Sequence, residues 1–173
     1  EETYPWLKPE KEAINKFACI NKKPYLGLCL GAQLLSEAAG GKVRKMKTPE
    51  IGVLEVSVTN NKSLFKGLEK NLKVLQWHSY EAHDLPNNTN LLASSSGCKV
   101  QAFSLENAFG IQFHVEQTNE TVPQWACVPE YKSALEETLG SNALEKFKKD
   151  VEDNLNEFNN SAKIIYKNFK KII

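Results

Sequence analysis

Residues 24–33 read Pro-Tyr-Leu-Gly-Leu-Cys-Leu-Gly-Ala-Gln, and this stretch decides most of the fold prediction. A short apolar run ends in Gly27-Leu28-Cys29-Leu30-Gly31, and a helical pattern follows at once. A strand, a sharp turn that carries one reactive side chain, and a helix together make a nucleophile elbow. Such a turn would expose the Cys29 thiol at the positive end of the helix dipole, where the thiolate is favoured.

Cys29 alone leaves two interpretations equally open. A strand–turn–helix unit of an ordinary α/β domain can also carry a buried cysteine, because free cysteine is among the most buried residue types. The segment Gly110-Ile111-Gln112-Phe113-His114-Val115-Glu116 favours the reactive interpretation. Side chains at i and i+2 of an extended chain point the same way, so Glu116 can hold the imidazole of His114. A thiol, a base and a carboxylate that orients the base form an activated cysteine nucleophile.

Together the two motifs resemble those of class I glutamine amidotransferases of the Cys-His-Glu triad type, and in particular the stand-alone GMP-synthase-like group. The resemblance covers nearly the whole chain up to about Trp125, and more loosely the helices after it. Other segments follow the order of that family: Gly40-Gly41-Lys42-Val43, Glu50-Ile51-Gly52, Trp77-His78-Ser79, Asp84-Leu85-Pro86, Leu92-Ala93-Ser94-Ser95 and Gln101-Ala102-Phe103.

The resemblance implies a role for each residue of the motifs. Cys29 would attack the side-chain amide of glutamine, His114 would move the proton, and Glu116 would orient His114. The backbone N–H of Leu30 would supply one oxyanion-hole donor. The implied substrate-binding residues are Gln33, Ser79 and Tyr80. The resemblance implies no cofactor and no metal.

The sequence departs from the family pattern at three places. Val115 stands where many relatives have proline, and Tyr80 stands where near relatives often carry aspartate. Neither change removes a reacting group. No strand pattern precedes the first helical pattern, whereas the family has strands there and a Gly-rich loop with the second oxyanion donor. We therefore expect that the N-terminal strands of the fold are missing from these residues.

Composition is that of an ordinary globular domain, with 41% hydrophobic and 25% charged residues among 173. A net charge of +1 argues against nucleic acid as a partner. No apolar run approaches 18 residues, which argues against a membrane span. The four cysteines form no C-x-x-C pair and predict reduced thiols in the cytoplasm.

Three further side chains have simpler interpretations. We expect His78 to close a strand near the site in a hydrogen-bonded structural role, and Glu50 to be a solvated loop carboxylate. A metal site from His78, His83 and Cys98 is disfavoured, because no local ligand spacing supports it.

The predicted fold is a flavodoxin-like, three-layer α/β sandwich with a mostly parallel sheet, forming a single domain over residues 1–173. Residues 141–173 are predicted to be an amphipathic helical segment, with a break at Asn159-Asn160 left open. We expect this segment to pack on its own sheet, although a homodimer or partner interface is the alternative.

The predicted function is release of ammonia from L-glutamine through a cysteinyl thioester, for an unknown acceptor on a synthetase domain or partner chain. One alternative is a γ-glutamyl hydrolase or peptidase of the same superfamily, which acts on γ-glutamyl small molecules. Another is a non-catalytic binding or regulatory module on the same scaffold. Glutamine is favoured by Gln33 and the GMP-synthase-like motifs, and catalysis is favoured by the intact set of Cys29, His114 and Glu116.

Overall fold

A parallel strand pair at one edge of the sheet brings the two predicted motifs together. This computed structural model describes residues 4–129, 133, 135–137, 140 and 142–173. Strand β1 (Tyr25–Leu28) pairs in parallel with β6 (Ala108–Ile111). The register places Leu28 beside Ile111. The carboxyl ends of both strands therefore lie at the same end of the sheet, where Cys29 follows β1 and His114 follows β6.

The remaining elements extend the sheet and cover it. Within the described part of the chain, the strand order is β1-β6-β5-β4-β2-β3. The other strands are β2 (Lys42–Val58), β3 (Asn71–His83), β4 (Asn90–Ser94) and β5 (Ala102–Leu105). The helices are α1 (Leu7–Ile14, continued by a wider turn over Asn15–Ile20), α2 (Leu30–Ala38), α3 (Thr121–Ala126) and α4 (Ala143–Phe169), with a short 3₁₀ turn at Ser63–Phe65.

The prediction of a mostly parallel sheet is wrong. Only the β1–β6 pair is parallel among the described strands, and the pairs β2–β3, β2–β4, β4–β5 and β5–β6 are antiparallel. The physical reason is the length of the connections. Parallel neighbours need a crossover of about a dozen residues or more, whereas a two-residue turn forces a hairpin. Only Glu106 and Asn107 separate β5 from β6.

Helices cover both faces of this curled sheet, as a three-layer α/β arrangement requires. On one face, Ile14 of α1 and Leu35 of α2 pack against Phe103 and Ala108 of the sheet. On the other face, α4 contributes Phe147 and other apolar residues to a larger cluster with β2 and β3. The single-domain organisation over residues 1–173 stays a prediction.

Helix α4 runs without interruption through Asn159-Asn160, where the sequence left a break open. The Asn159 side-chain amide donates to the Leu155 carbonyl at 2.9 Å, so this residue is accommodated within the helix. The buried residues recur at steps of three, four or seven positions, as an amphipathic helix requires: Ala143, Phe147, Val151, Phe158, Ser161 and Ile165. Among the described residues, no helix is both long and apolar enough to cross a membrane.

The packing of α4 can be tested with Phe158, which is fully buried. We expect Phe158→Ala to lower the free energy of unfolding by about 3–5 kcal/mol, because it removes a buried ring and leaves a cavity. Tyr166→Ala in the same helix is the matched control, since Tyr166 is 61% exposed, and its effect should stay within about 0.5 kcal/mol. Urea unfolding monitored by circular dichroism measures both. Equal effects would contradict this placement of α4.

Candidate active site

The nucleophile elbow predicted at Cys29 is present in the structure. Cys29 joins β1 to α2 with φ 47° and ψ −103°, a backbone conformation that costs a non-glycine residue roughly 1–3 kcal/mol. Its N–H donates to the Ile111 carbonyl at 2.8 Å, and its carbonyl accepts from the N–H groups of Ala32 and Gln33 at 3.0 and 3.2 Å. These bonds hold the strained residue between the strand and the first turn of the helix.

Gly27 allows the strand and the helix to approach each other. A Cβ at this position would lie 2.4 Å from the backbone carbon and oxygen of Gly31. No side chain fits at that distance, so the elbow requires glycine there. Leu30 lies in the first turn of α2, where backbone N–H groups have no intrahelical partner. The Leu30 N–H therefore has no acceptor within the helix.

His114 is held from the opposite side of the site by β3. Its backbone N–H donates to the Leu75 carbonyl at 2.9 Å, and its carbonyl accepts from the Leu75 N–H at 3.0 Å. The side-chain Nδ1 donates to Glu116 Oε1 at 2.5 Å, while Glu116 Oε2 accepts from the Val115 N–H at 2.9 Å. The indole of Trp125 in α3 packs edge-to-face on the imidazole, with ring centroids 5.3 Å apart.

The neighbours of His114 favour its charged form. Burial alone would lower its pKa, but hydrogen bonds with the Cys29 sulfur and with Glu116 outweigh burial and raise the pKa of His114 to about 9. Loss of contact with water would raise the pKa of Glu116, yet the hydrogen bond from His114 prevails and lowers it. Cys29 follows β1, and the hydrogen-bonded pair of His114 and Glu116 follows the parallel neighbour β6, so the three residues lie at the same end of these two strands.

A second set of polar contacts links Cys29 to strand β3. Gln33 donates from Nε2 to the Tyr80 carbonyl at 3.1 Å and to Gln112 Oε1 at 3.0 Å. The Gln112 amide nitrogen lies 3.5 Å from the Cys29 sulfur. The Tyr80 main chain is thereby linked through Gln33 to the polar groups beside Cys29, and Ser79 precedes the half-exposed Tyr80 in β3.

Two features of the site were not predicted from the sequence. Gln112 belongs to the second motif, but the sequence analysis gave it no role. Its position directly after Ile111, which pairs with Leu28 of the elbow, could have indicated that it lies near Cys29. Glu50 was expected to be a solvated loop carboxylate, and this is wrong. Glu50 belongs to β2 and is buried beside His78, with Oε2 3.1 Å from the His78 Nε2.

Comparison with known proteins gives consistent matches. The sequence profile of the family described as "Glutamine amidotransferase class-I" matches residues 3–124. A GMP synthase (glutamine-hydrolyzing) subunit of Sulfolobus acidocaldarius is 39% identical over 95 residues, which are 54% of this chain and 50% of that protein. The corresponding protein of Pyrococcus abyssi is 38% identical over 95 residues, with the same coverage. The chain thus spans about half the length of the curated relatives it matches.

A crystal structure gives the same match in three dimensions. It is that of a glutamine amidotransferase from Thermotoga maritima, which superposes with a TM-score of 0.87 at 28% sequence identity. The superposition covers 98% of this chain and 71% of the other.

The close approach at the elbow can be tested with a pair of glycine substitutions. We expect Gly27→Ala to lower the free energy of unfolding by at least about 2 kcal/mol, because the new methyl group overlaps the Gly31 backbone. Gly31→Ala is the control, since its Cβ would meet only the Tyr25 hydroxyl at an ordinary 3.4 Å. Its effect should stay within about 1 kcal/mol. Urea unfolding measures both, and a tolerated Gly27→Ala would contradict the elbow geometry.

The charge state of His114 can be tested by NMR titration of the imidazole. We expect a pKa of about 9 for His114, and a clear decrease in Glu116→Gln, because glutamine offers no negative charge to the ring. Glu120→Gln is the control, since it removes a carboxylate from the same segment but not from the hydrogen bond with His114. An unchanged pKa in Glu116→Gln would contradict the assignment.

The raised pKa of His114 also determines how the stability of the fold should change with pH. A raised pKa means that protonated His114 stabilises the fold fully below its ordinary value of 6.5. This contribution is lost as the pH rises through about 9. We therefore expect the loss of stability over that interval to be smaller in Glu116→Gln than in the unsubstituted protein.

Proposed function

Since the chain belongs to the class-I glutamine amidotransferase family, we propose that it releases ammonia from the side-chain amide of L-glutamine through a cysteinyl thioester. One observation carries the proposal. Cys29 and the hydrogen-bonded pair of His114 and Glu116 follow the parallel neighbours β1 and β6, so a nucleophile, a base and a group that orients the base are available at the same end of these two strands.

The first half of the reaction forms the thioester. The Cys29 thiolate attacks the amide carbon of glutamine, and the carbonyl electrons move onto oxygen. The Leu30 N–H donates to this oxyanion, and a single such donor typically contributes about 3 kcal/mol to the transition state. When the tetrahedral intermediate collapses, the C–N bond breaks and the His114 imidazolium gives its proton to the leaving ammonia. The raised pKa of His114 keeps that proton available.

The second half uses water. Neutral His114 takes a proton from a water molecule, whose oxygen attacks the thioester carbon. Collapse of the second tetrahedral intermediate breaks the C–S bond, releases glutamate and restores the Cys29 thiolate and the imidazolium. Glu116 stabilises the charged ring in both halves through its hydrogen bond to Nδ1.

The proposed substrate has an amino-acid end that must also be bound. We assign this role to Gln33 and to the main chain of Ser79 and Tyr80, because Gln33 connects the Tyr80 carbonyl to the polar groups beside Cys29. The relatives are each named as one subunit of GMP synthase, so we propose that a synthetase on a partner chain accepts the ammonia. The unpaired cysteines suit a reducing compartment, and we place the protein in the cytoplasm.

The nucleophile can be tested by substitution in the full-length protein. We expect Cys29→Ala to lower ammonia release from L-glutamine by at least about a thousandfold, because no other group replaces the attacking sulfur. Cys127→Ala is the matched control, since Cys127 is exposed and should leave the rate unchanged. A coupled assay for ammonia measures the rate, and circular dichroism verifies that each variant is folded.

Two results would contradict the proposal. Equal ammonia release by Cys29→Ala and the unsubstituted protein would remove the nucleophile. Turnover of γ-glutamyl peptides without turnover of glutamine would instead identify a γ-glutamyl hydrolase.

A further inference from the structure

A cluster of buried polar side chains surrounds Glu50 and includes His78, Ser95 and Gln101. Glu50 of β2 and His78 of β3 are directly opposed across the strands and are only 8% and 6% exposed. The His78 Nε2 lies 3.1 Å from Glu50 Oε2. The carboxylate also accepts from the Ser95 hydroxyl at 2.7 Å and from the Gln101 amide at 2.6 Å. Its two oxygens therefore share three hydrogen-bonding partners inside the protein.

Both ring nitrogens of His78 face an acceptor. Nδ1 lies 2.9 Å from the Tyr80 carbonyl oxygen, and Nε2 faces Glu50. A neutral imidazole has one N–H and satisfies only one of these contacts. The imidazole therefore bridges the Tyr80 carbonyl and the Glu50 carboxylate. Burial opposes the ionisation of Glu50, but hydrogen bonds with His78, Ser95 and Gln101 outweigh it and lower the pKa of Glu50.

The hydrogen bonds continue from His78 to the nucleophile. The Tyr80 carbonyl that accepts from His78 also accepts from Gln33 Nε2 at 3.1 Å. The same Gln33 nitrogen donates to Gln112 Oε1, and the Gln112 amide nitrogen lies 3.5 Å from the Cys29 sulfur. One main-chain carbonyl is thus held by the buried pair on one side and by the polar groups beside Cys29 on the other.

We propose that Glu50 and His78 are positioning residues, which fix the main chain of Tyr80 and so set how the site binds its amide substrate. This inference rests on the proposed function, in which Ser79 and Tyr80 bind the amino-acid end of glutamine. A buried ion pair adds little net stability, because desolvation offsets the attraction between the charges. A small displacement of a substrate-binding group, by contrast, costs binding and rate heavily.

Two substitutions of His78 separate positioning from stability. The side-chain NH₂ of asparagine lies near the former Nδ1, and that of glutamine lies near the former Nε2. His78→Asn therefore keeps a donor to the Tyr80 carbonyl but removes the ring nitrogen that faces Glu50. His78→Gln keeps a donor to Glu50 but loses the one to Tyr80.

On the full-length protein, His78→Gln should have the larger effect on KM, and His78→Asn should have the larger effect on Tm. For ammonia release, we expect His78→Gln to raise the KM for L-glutamine about tenfold or more with a smaller change in kcat, and His78→Asn to change KM less than about threefold. For thermal unfolding, we expect His78→Asn to lower Tm by about 5 °C or more, and His78→Gln to lower it less.

Glu50→Gln provides a third variant that preserves the hydrogen bonds. The new amide can donate to Nε2, so that Nδ1–H still faces the Tyr80 carbonyl, and KM should stay within about threefold of the unsubstituted protein. A tenfold increase of KM in a folded Glu50→Gln protein would overturn the proposal. So would activity losses that simply follow Tm in the two His78 variants. Absence of ammonia release by the unsubstituted protein would instead remove the proposed function itself, so the two failures are distinguishable.

Discussion

The candidate site depends on the parallel pairing of β1 with β6. This pairing aligns Leu28 with Ile111, and the Cys29 N–H continues it by donating to the Ile111 carbonyl. Two segments that lie far apart in the sequence therefore end at one edge of the sheet. Because the pairing consists of backbone hydrogen bonds, it fixes the relative position of the elbow and the histidine segment without any side-chain contact.

The strain at Cys29 follows from the same constraint. A non-glycine residue holds φ 47° only when its surroundings stabilise it. Here three backbone hydrogen bonds and the close approach of Gly27 to Gly31 provide that stabilisation. The helix begins directly after the strained residue, which places the Cys29 thiol at the positive end of the α2 dipole. The strained backbone and the positive end of the helix dipole therefore coincide at Cys29.

Local features of the sequence predicted the strand–turn–helix unit at Cys29 and the C-terminal amphipathic helix, while the arrangement of the sheet depended on connections that the patterns do not reveal. The strand over Tyr25–Leu28 and the helix after the elbow were predicted because an apolar run, flanking glycines and a helical period coincide there. A mostly parallel sheet was expected, yet an apolar run that is buried in a hairpin has the same sequence pattern as one buried in a parallel sheet. The two-residue turn at Glu106-Asn107 was the signal that could have decided it. The environment of Glu50 shows what a linear pattern cannot provide, because its partners His78, Ser95 and Gln101 come from three separate segments.

His78 within β3 and His114 beyond β6 differ in what surrounds each ring. His114 combines a half-exposed carboxylate with a nearby thiol, whereas His78 is enclosed between a buried carboxylate and a main-chain carbonyl. His114 thus pairs with a carboxylate that is partly open to solvent, which suits the proposed proton transfer, whereas both nitrogens of His78 lie against acceptors inside the protein, which suits a positioning role. The surroundings of each ring, and not the residue type, distinguish the two roles.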